Sequence, residues 1–180
     1  MTTATGKISL ILGPMYAGKT SELIRKYRRY NVAGKRCLLI KHDNDNRYDS
    51  DKLCTHDLHK IEARSCSRLG DLLSEINDYD VICVDEIQFY PDNLEFAECV
   101  ASLGKILVAS CLSGNFKRKP FKNIPELTSR ADHVVYLTAI CMVCREEGAA
   151  FTKRISDEKE EVVVGGVDKY LAVCRRCYFN

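Results

Sequence analysis

Three groups of residues in this sequence have the types and spacing to do chemistry. The first is Gly13-Pro14-Met15-Tyr16-Ala17-Gly18-Lys19-Thr20, which fits G-x-x-x-x-G-K-[ST]. Its glycines let the backbone wrap a phosphate closely, so successive N–H groups face the oxygens, and a following helix adds its positive end. In such a loop Lys19 contacts the β- and γ-phosphates of ATP and the Thr20 hydroxyl ligates Mg²⁺. The second group is Asp85-Glu86, at the end of the apolar run Val81-Ile82-Cys83-Val84. An Asp in that position holds magnesium in phosphate-loop enzymes. Glu86 beside it can accept the proton of an attacking hydroxyl, which makes a kinase, or position an attacking water, which makes an ATPase. The local pattern leaves both open, and also leaves Asp85 as a helix N-cap.

The third group is Cys141-Met142-Val143-Cys144 and Cys174-Arg175-Arg176-Cys177. Two residues between thiolates let one tight turn present both sulfurs to a tetrahedral ion, so the four cysteines match a structural zinc site. Four thiolates leave no open position, which points to a structural metal. A redox dithiol or two disulfides are the alternatives. Cys37, Cys54, Cys66, Cys83, Cys99 and Cys111 are scattered, several on apolar runs, and read as core or ordinary thiols.

Positioning these groups requires a particular order of elements. Lys7–Leu12, Arg36–Lys41, Val81–Val84, Ile106–Ser110 and Val134–Leu137 are short runs rich in Val, Ile and Leu, without the alternation of a half-solvated strand. Between them, Lys19–Ala33, Ser67–Asn77 and Asp92–Leu103 carry apolar residues at helical spacing. This alternation predicts an α/β fold, a parallel sheet with helices on both faces. After Ala139 the pattern changes. Phe151–Ile155 and Glu161–Val164 read as two strands of a hairpin around the turn Ser156–Lys159, carried between the cysteine pairs. The expected division is a phosphate-loop domain over residues 1–140 and a small metal-binding domain over 141–180.

Bulk properties restrict the classes. A chain of 180 residues buries on the order of 70% of its unfolded surface, enough for one real core. A formal charge of +2 gives no argument for a nucleic-acid or membrane partner. No run of about 18 apolar residues is present, and the first residues lack a targeting pattern. Ten cysteines without a signal peptide read as an intracellular, cytoplasmic chain with metal ligands. Arg25, Lys26, Arg28 and Arg29 read as a solvated helix face.

The phosphate loop with Pro14-Met15-Tyr16, the run Asp85-Glu86-Ile87-Gln88-Phe89-Tyr90-Pro91-Asp92 and Phe116-Lys117-Arg118-Lys119-Pro120-Phe121 together resemble the thymidine kinases of the human cytosolic, bacterial and poxviral type. So do the cysteine pairs, with Gly165-Gly166-Val167-Asp168-Lys169-Tyr170 before the second. The resemblance implies a RecA-like P-loop core plus a C-terminal zinc-binding lasso. It also implies transfer of the γ-phosphate of ATP to the 5′-hydroxyl of thymidine or deoxyuridine, in deoxynucleotide salvage. Glu86 would be the general base, and Asp85 and Thr20 would serve magnesium. Asp45 would bind the sugar 3′-hydroxyl. Met15, Phe89, Leu112, Phe116, Phe121 and Tyr170 would form the base pocket, covered by the strand containing Val163 and Gly165. In that strand Glu161 and Val162 stand exchanged relative to the family's order. A homotetramer and feedback inhibition by thymidine triphosphate are further implications. The other readings are a nucleic-acid-dependent ATPase with a zinc ribbon, and a non-catalytic zinc-binding interaction module.

Overall fold

The protein is described by a computed structural model that covers residues 6–43, 52–54, 60–158, 160, 163 and 165–180. Asp45, and Glu161, Val162 and Val164 of the expected covering strand, lie outside the described residues.

Six strands form one parallel sheet in the order β5-β2-β6-β7-β1-β8. They are β1 (Lys7–Gly13), β2 (Cys37–His42), β5 (Arg64–Cys66), β6 (Val81–Val84), β7 (Ile106–Leu112) and β8 (His133–Tyr136). A short antiparallel pair, β3 (Lys52–Cys54) with β4 (Lys60–Glu62), precedes β5. The central strands are apolar on both sides because both faces are covered. Leu10, Leu12, Leu38, Ile40, Ile82, Val84, Leu107 and Ala109 pack on one face with helices α2 (Asn93–Ser102) and α3 (Ile124–Arg130). The residues that alternate with them, Ile11, Leu39, Cys83 and Val108, pack on the other face against Leu23 and Ile24 of α1 (Lys19–Val32). The fold is therefore the expected α/β sheet with helices on both faces. Arg25 of the basic face of α1 is exposed and pairs with Glu22 at 2.6 Å, as a solvated face should.

Four expectations change. Ser67–Asn77 is two 3₁₀ turns, Leu69–Leu72 and Glu75–Asp78, with the Asp92 carboxylate accepting from the Leu69 and Gly70 N–H groups at 3.2 and 2.8 Å. That external acceptor fixes the first turn, so its apolar residues reach the core without an α-helix. β8 is a sheet edge, with Val134 40% and Tyr136 52% exposed. β5, polar and only three residues long, gave no apolar run to find. Finally, β9 (Phe151–Arg154) pairs antiparallel with β10 (Tyr170–Val173), Val173 opposite Phe151, a pairing the sequence reading did not expect. Pairing through β10 places Cys174, the next residue, beside Cys141, whose sulfur accepts the Cys174 N–H at 3.3 Å. The short helix α4 (Arg175–Phe179) follows.

Ala139, Cys141, Ala149, Ala172, Val173 and Cys177 form a third buried cluster. Tyr16 and Ala17 of the phosphate loop pack against it. Among the described residues no helix is long and apolar enough to cross a membrane.

Candidate active site

β1 delivers the chain to the phosphate loop and α1 takes it away. Gly13 passes so close to the chain after β8 that an added Cβ would stand 2.7 Å from the Leu137 carbonyl oxygen. At the other end Gly18 adopts φ 79°, a conformation that costs glycine little and other residues more. No side chain caps α1, so its first N–H groups remain for a ligand. Tyr16 also has a positive φ of 63°, backbone strain of the kind that concentrates at functional loops. Lys19 is buried, and its ammonium donates to the Pro14 carbonyl at 3.0 Å. The Met15 N–H donates to Thr152 Oγ1 on β9 at 3.0 Å, tying the loop to the C-terminal segment.

β6 ends beside this loop, with β7 between it and β1. Asp85 is buried, and the Thr20 hydroxyl donates to both of its carboxylate oxygens at 3.1 and 3.2 Å. The Ser110 hydroxyl also donates to Asp85, and accepts the Glu86 N–H at 3.1 Å. Burial, and then the neighbouring Glu86 charge, push the Asp85 carboxyl up to about 6, against the opposing pull of Ser110, Lys19 and Thr20. This is a buried carboxylate short of positive charge. With the Thr20 hydroxyl it offers hard oxygen ligands next to a phosphate loop, a donor set that fits magnesium.

Glu86 has a left-handed backbone, φ 49° and ψ 48°, which turns the chain sharply out of β6. Its side chain is half-buried, and Gln88 Nε2 donates to Glu86 Oε2 at 2.6 Å. Gln88 Oε1 in turn accepts the Leu112 N–H at 3.2 Å. Cys111 next to Leu112 is buried, and its thiol is pushed up to about 12 by that burial, so it stays protonated.

The residues expected around a base fall into two groups. Phe89 and Phe121 meet edge to face with ring centroids 6.1 Å apart, and Phe89 is 37% exposed. Phe116 and Tyr170 are joined by Arg154, whose guanidinium lies 3.8 Å from the Phe116 centroid and donates to Tyr170 Oη at 2.7 Å. The Tyr170 hydroxyl donates to the Val163 carbonyl at 3.0 Å. Leu112 joins the Gln88–Glu86 group through its N–H. Met15 and Gly165 are half-buried. Sequence reasoning missed Gln88, Ser110, Thr152 and Arg154. Gln88 lies inside the run Asp85–Asp92, but only the direction of its amide reveals what it touches.

The sulfurs of Cys141, Cys144, Cys174 and Cys177 lie within 4.8 Å of one another. Tetrahedral zinc with thiolates at about 2.3 Å separates its sulfurs by roughly 3.8 Å, and Cys144 and Cys174 stand at 3.8 Å. The four are free thiols in the structure, far beyond the roughly 2 Å of a disulfide. Burial alone would push the Cys141 thiol up, but the N–H groups of Cys144, Cys174 and Val143 outweigh it and hold it down to about 6. A donor set of this kind fits zinc. Of the scattered cysteines, Cys66, Cys83 and Cys111 are buried and Cys37 and Cys99 half-buried, as ordinary thiols would be.

The Thr20–Asp85 bond is hard to explain as a chance glycine turn, because it couples the end of the phosphate loop to an acidic strand end on a separate element. A fold and site so arranged define a P-loop phosphotransferase. Comparison with known proteins narrows the class. The family model described as thymidine kinase matches residues 6–178. Thymidine kinase 1 of Dictyostelium discoideum is 47% identical over 182 residues, covering 99% of this chain and 80% of its own. The thymidine kinase of Vaccinia virus (strain Western Reserve) is 49% identical over 175 residues, covering 97% of this chain and 98% of its own. That of Monkeypox virus is 47% identical over 175 residues, with the same coverage. The chain belongs to the thymidine kinase family, and is an ATP-dependent nucleoside kinase.

Proposed function

We propose that this protein phosphorylates thymidine, the activity of its family, and deoxyuridine, by direct transfer from ATP. The 5′-hydroxyl oxygen of the nucleoside attacks the γ-phosphorus. The new bond joins that oxygen to phosphorus, the bond to the β–γ bridging oxygen breaks, and ADP leaves. Glu86 accepts the hydroxyl proton. Lys19 exchanges the Pro14 carbonyl for phosphate oxygens, and the N–H groups of Tyr16 to Thr20 cradle the triphosphate. Thr20 and Asp85 would hold magnesium, which would neutralise charge on the triphosphate. The observation that carries this reading is the Thr20–Asp85 hydrogen bond, because it sets the loop and the carboxylate pair in one site.

Phe89 and Phe121 with Met15 and Leu112, and Phe116 and Tyr170 with Val163 and Gly165, would enclose the base. Asp45 would take the sugar 3′-hydroxyl. Cys141, Cys144, Cys174 and Cys177 would bind a structural zinc that organises a cover over residues 141–180, distinct from the nucleotide domain of 1–140. A cytoplasmic homotetramer, feedback-inhibited by thymidine triphosphate, completes the proposal on family resemblance.

Transfer of labelled γ-phosphate from ATP to thymidine, deoxyuridine, deoxycytidine and water, each in a separate tube, tests it. Label on thymidine and deoxyuridine is the expected outcome. Label released only as free phosphate would make Glu86 a water-positioning residue and the protein an ATPase.

A further inference from the structure

The amide of Gln88 is spent in an unusual way. Gln88 lies in the 3₁₀ turn Ile87–Phe89 and is 8% exposed. The turn is pinned by Asn93, itself buried, whose Nδ2 donates to the Ile87 carbonyl at 3.2 Å. A side-chain amide can point either way round, and only its partners decide. Here the decision is forced. The Leu112 N–H at the end of β7 is a donor, so it must meet Oε1, and the amide NH₂ is left facing Glu86. The Glu86 backbone is held independently, by its N–H on Ser110 Oγ. Backbone and one carboxylate oxygen are thus both fixed, which leaves Glu86 Oε1 to accept a proton.

We propose that Gln88 is the positioning residue that aims the Glu86 carboxylate at the acceptor hydroxyl, its own amide being set by the backbone N–H of Leu112. A purely structural buried glutamine would spend its amide on backbone or on other core groups. This one donates to a half-buried carboxylate two residues away, at the short distance of a charge-assisted bond. A base displaced by about 1 Å loses on the order of 10²-fold in rate, so a single hydrogen bond of this kind bears directly on turnover. The inference rests on the reading of Glu86 as general base.

The test compares Glu86→Gln, Gln88→Leu, Gln88→Met and the double variant Glu86→Gln/Gln88→Leu. Gln88→Leu strips both bonds and leaves the Leu112 N–H without its acceptor. Gln88→Met keeps the length of the side chain and a weak sulfur acceptor for Leu112, adds no charge beside Glu86 and removes the donor to it, which guards against a folding failure. Both Gln88 variants are expected to lose about 10- to 100-fold in kcat, the worth of a hydrogen bond to a charged group. KM for ATP and for thymidine should stay within about twofold, because the loss falls on the transition state alone. In the Glu86→Gln background, Gln88→Leu should cost nothing further, a coupling that a scaffold role would not produce. Wild-type kcat in Gln88→Met, or a double variant as slow as the product of the two singles, overturns the inference while leaving Glu86 as base. Wild-type turnover in Glu86→Gln removes the base and the inference with it.

Discussion

Two adjacent carboxylates in one site must differ in environment to differ in role. Asp85 is buried against Thr20 and Ser110, whereas Glu86 swings out of the strand on a left-handed turn into a half-buried position. Glu86→Gln should keep ATP binding by calorimetry and cut turnover by about 10²–10⁴-fold, the typical worth of a general base; near-normal turnover would remove Glu86 from the mechanism. Asp85 has a different signature. Its folded-state pKa is raised from 3.8 to about 6, by burial first and Glu86 second. Between those values the folded protein binds more protons than the unfolded one, so stability falls as pH rises through the window and stays lowered above it. Asp85→Asn should therefore stabilise the metal-free protein at pH 7 by about 2–3 kcal/mol and change little at about pH 3, while abolishing transfer. Equal melting shifts at the two pH values would show that Asp85 does not carry the buried charge. Lys19, Thr20, Asp85 and Glu86 could be picked out in the sequence because a phosphate loop and an acidic strand end are local patterns. Ser110 and Gln88 were not, because a serine in a strand or a glutamine in a turn acquires its role only from the atom it faces.

Among the elements, legibility followed burial. The inner strands of a parallel sheet are apolar on both sides, and β1, β2, β6 and β7 announced themselves as continuous runs. β5 is polar and β8 is exposed, because each sits at an edge. Leu69, Leu72 and Ile76 suit an α-helix as well as the two 3₁₀ turns that form, and only the distant Asp92 carboxylate settles the matter. β10 was not picked out, since periodicity does not report that a strand must end beside the first cysteine pair. One consequence is that β9 reaches the phosphate loop, with Thr152 accepting the Met15 N–H. Thr152→Val keeps shape but leaves that donor unmatched, at a cost of about 1–3 kcal/mol. ATP affinity should fall by roughly 5- to 100-fold and be restored in Thr152→Ser; calorimetric titration with ATP decides, and unchanged affinity in Thr152→Val would make the bond incidental.

At the scale of the whole molecule the question is whether the chain folds as one unit or two. The sheet has its own buried clusters on both faces, and neither includes a residue beyond Ala131 and Leu137. The third cluster is small: its buried members are three alanines, one valine and two cysteines, with Met142, Phe151, Leu171 and Tyr178 only partly buried against it, little apolar area to order a segment unaided. A four-thiolate zinc contributes on the order of 10–16 kcal/mol at neutral pH in comparable sites, so the metal would supply what that cluster lacks. Chelation, or Cys174→Ser, should then abolish hydrogen-exchange protection in β9 and β10 and leave β1, β6 and β7 protected. Thymidine binding should be lost with the cover. ATP binding should weaken too, since Tyr16, Ala17 and Met15 lean on the same cluster and strand. Loss of protection throughout the sheet would instead mean that residues 141–180 are integral to one cooperative unit. Full protection everywhere after metal removal would mean that thiol packing alone holds the segment, and that zinc is not its organiser.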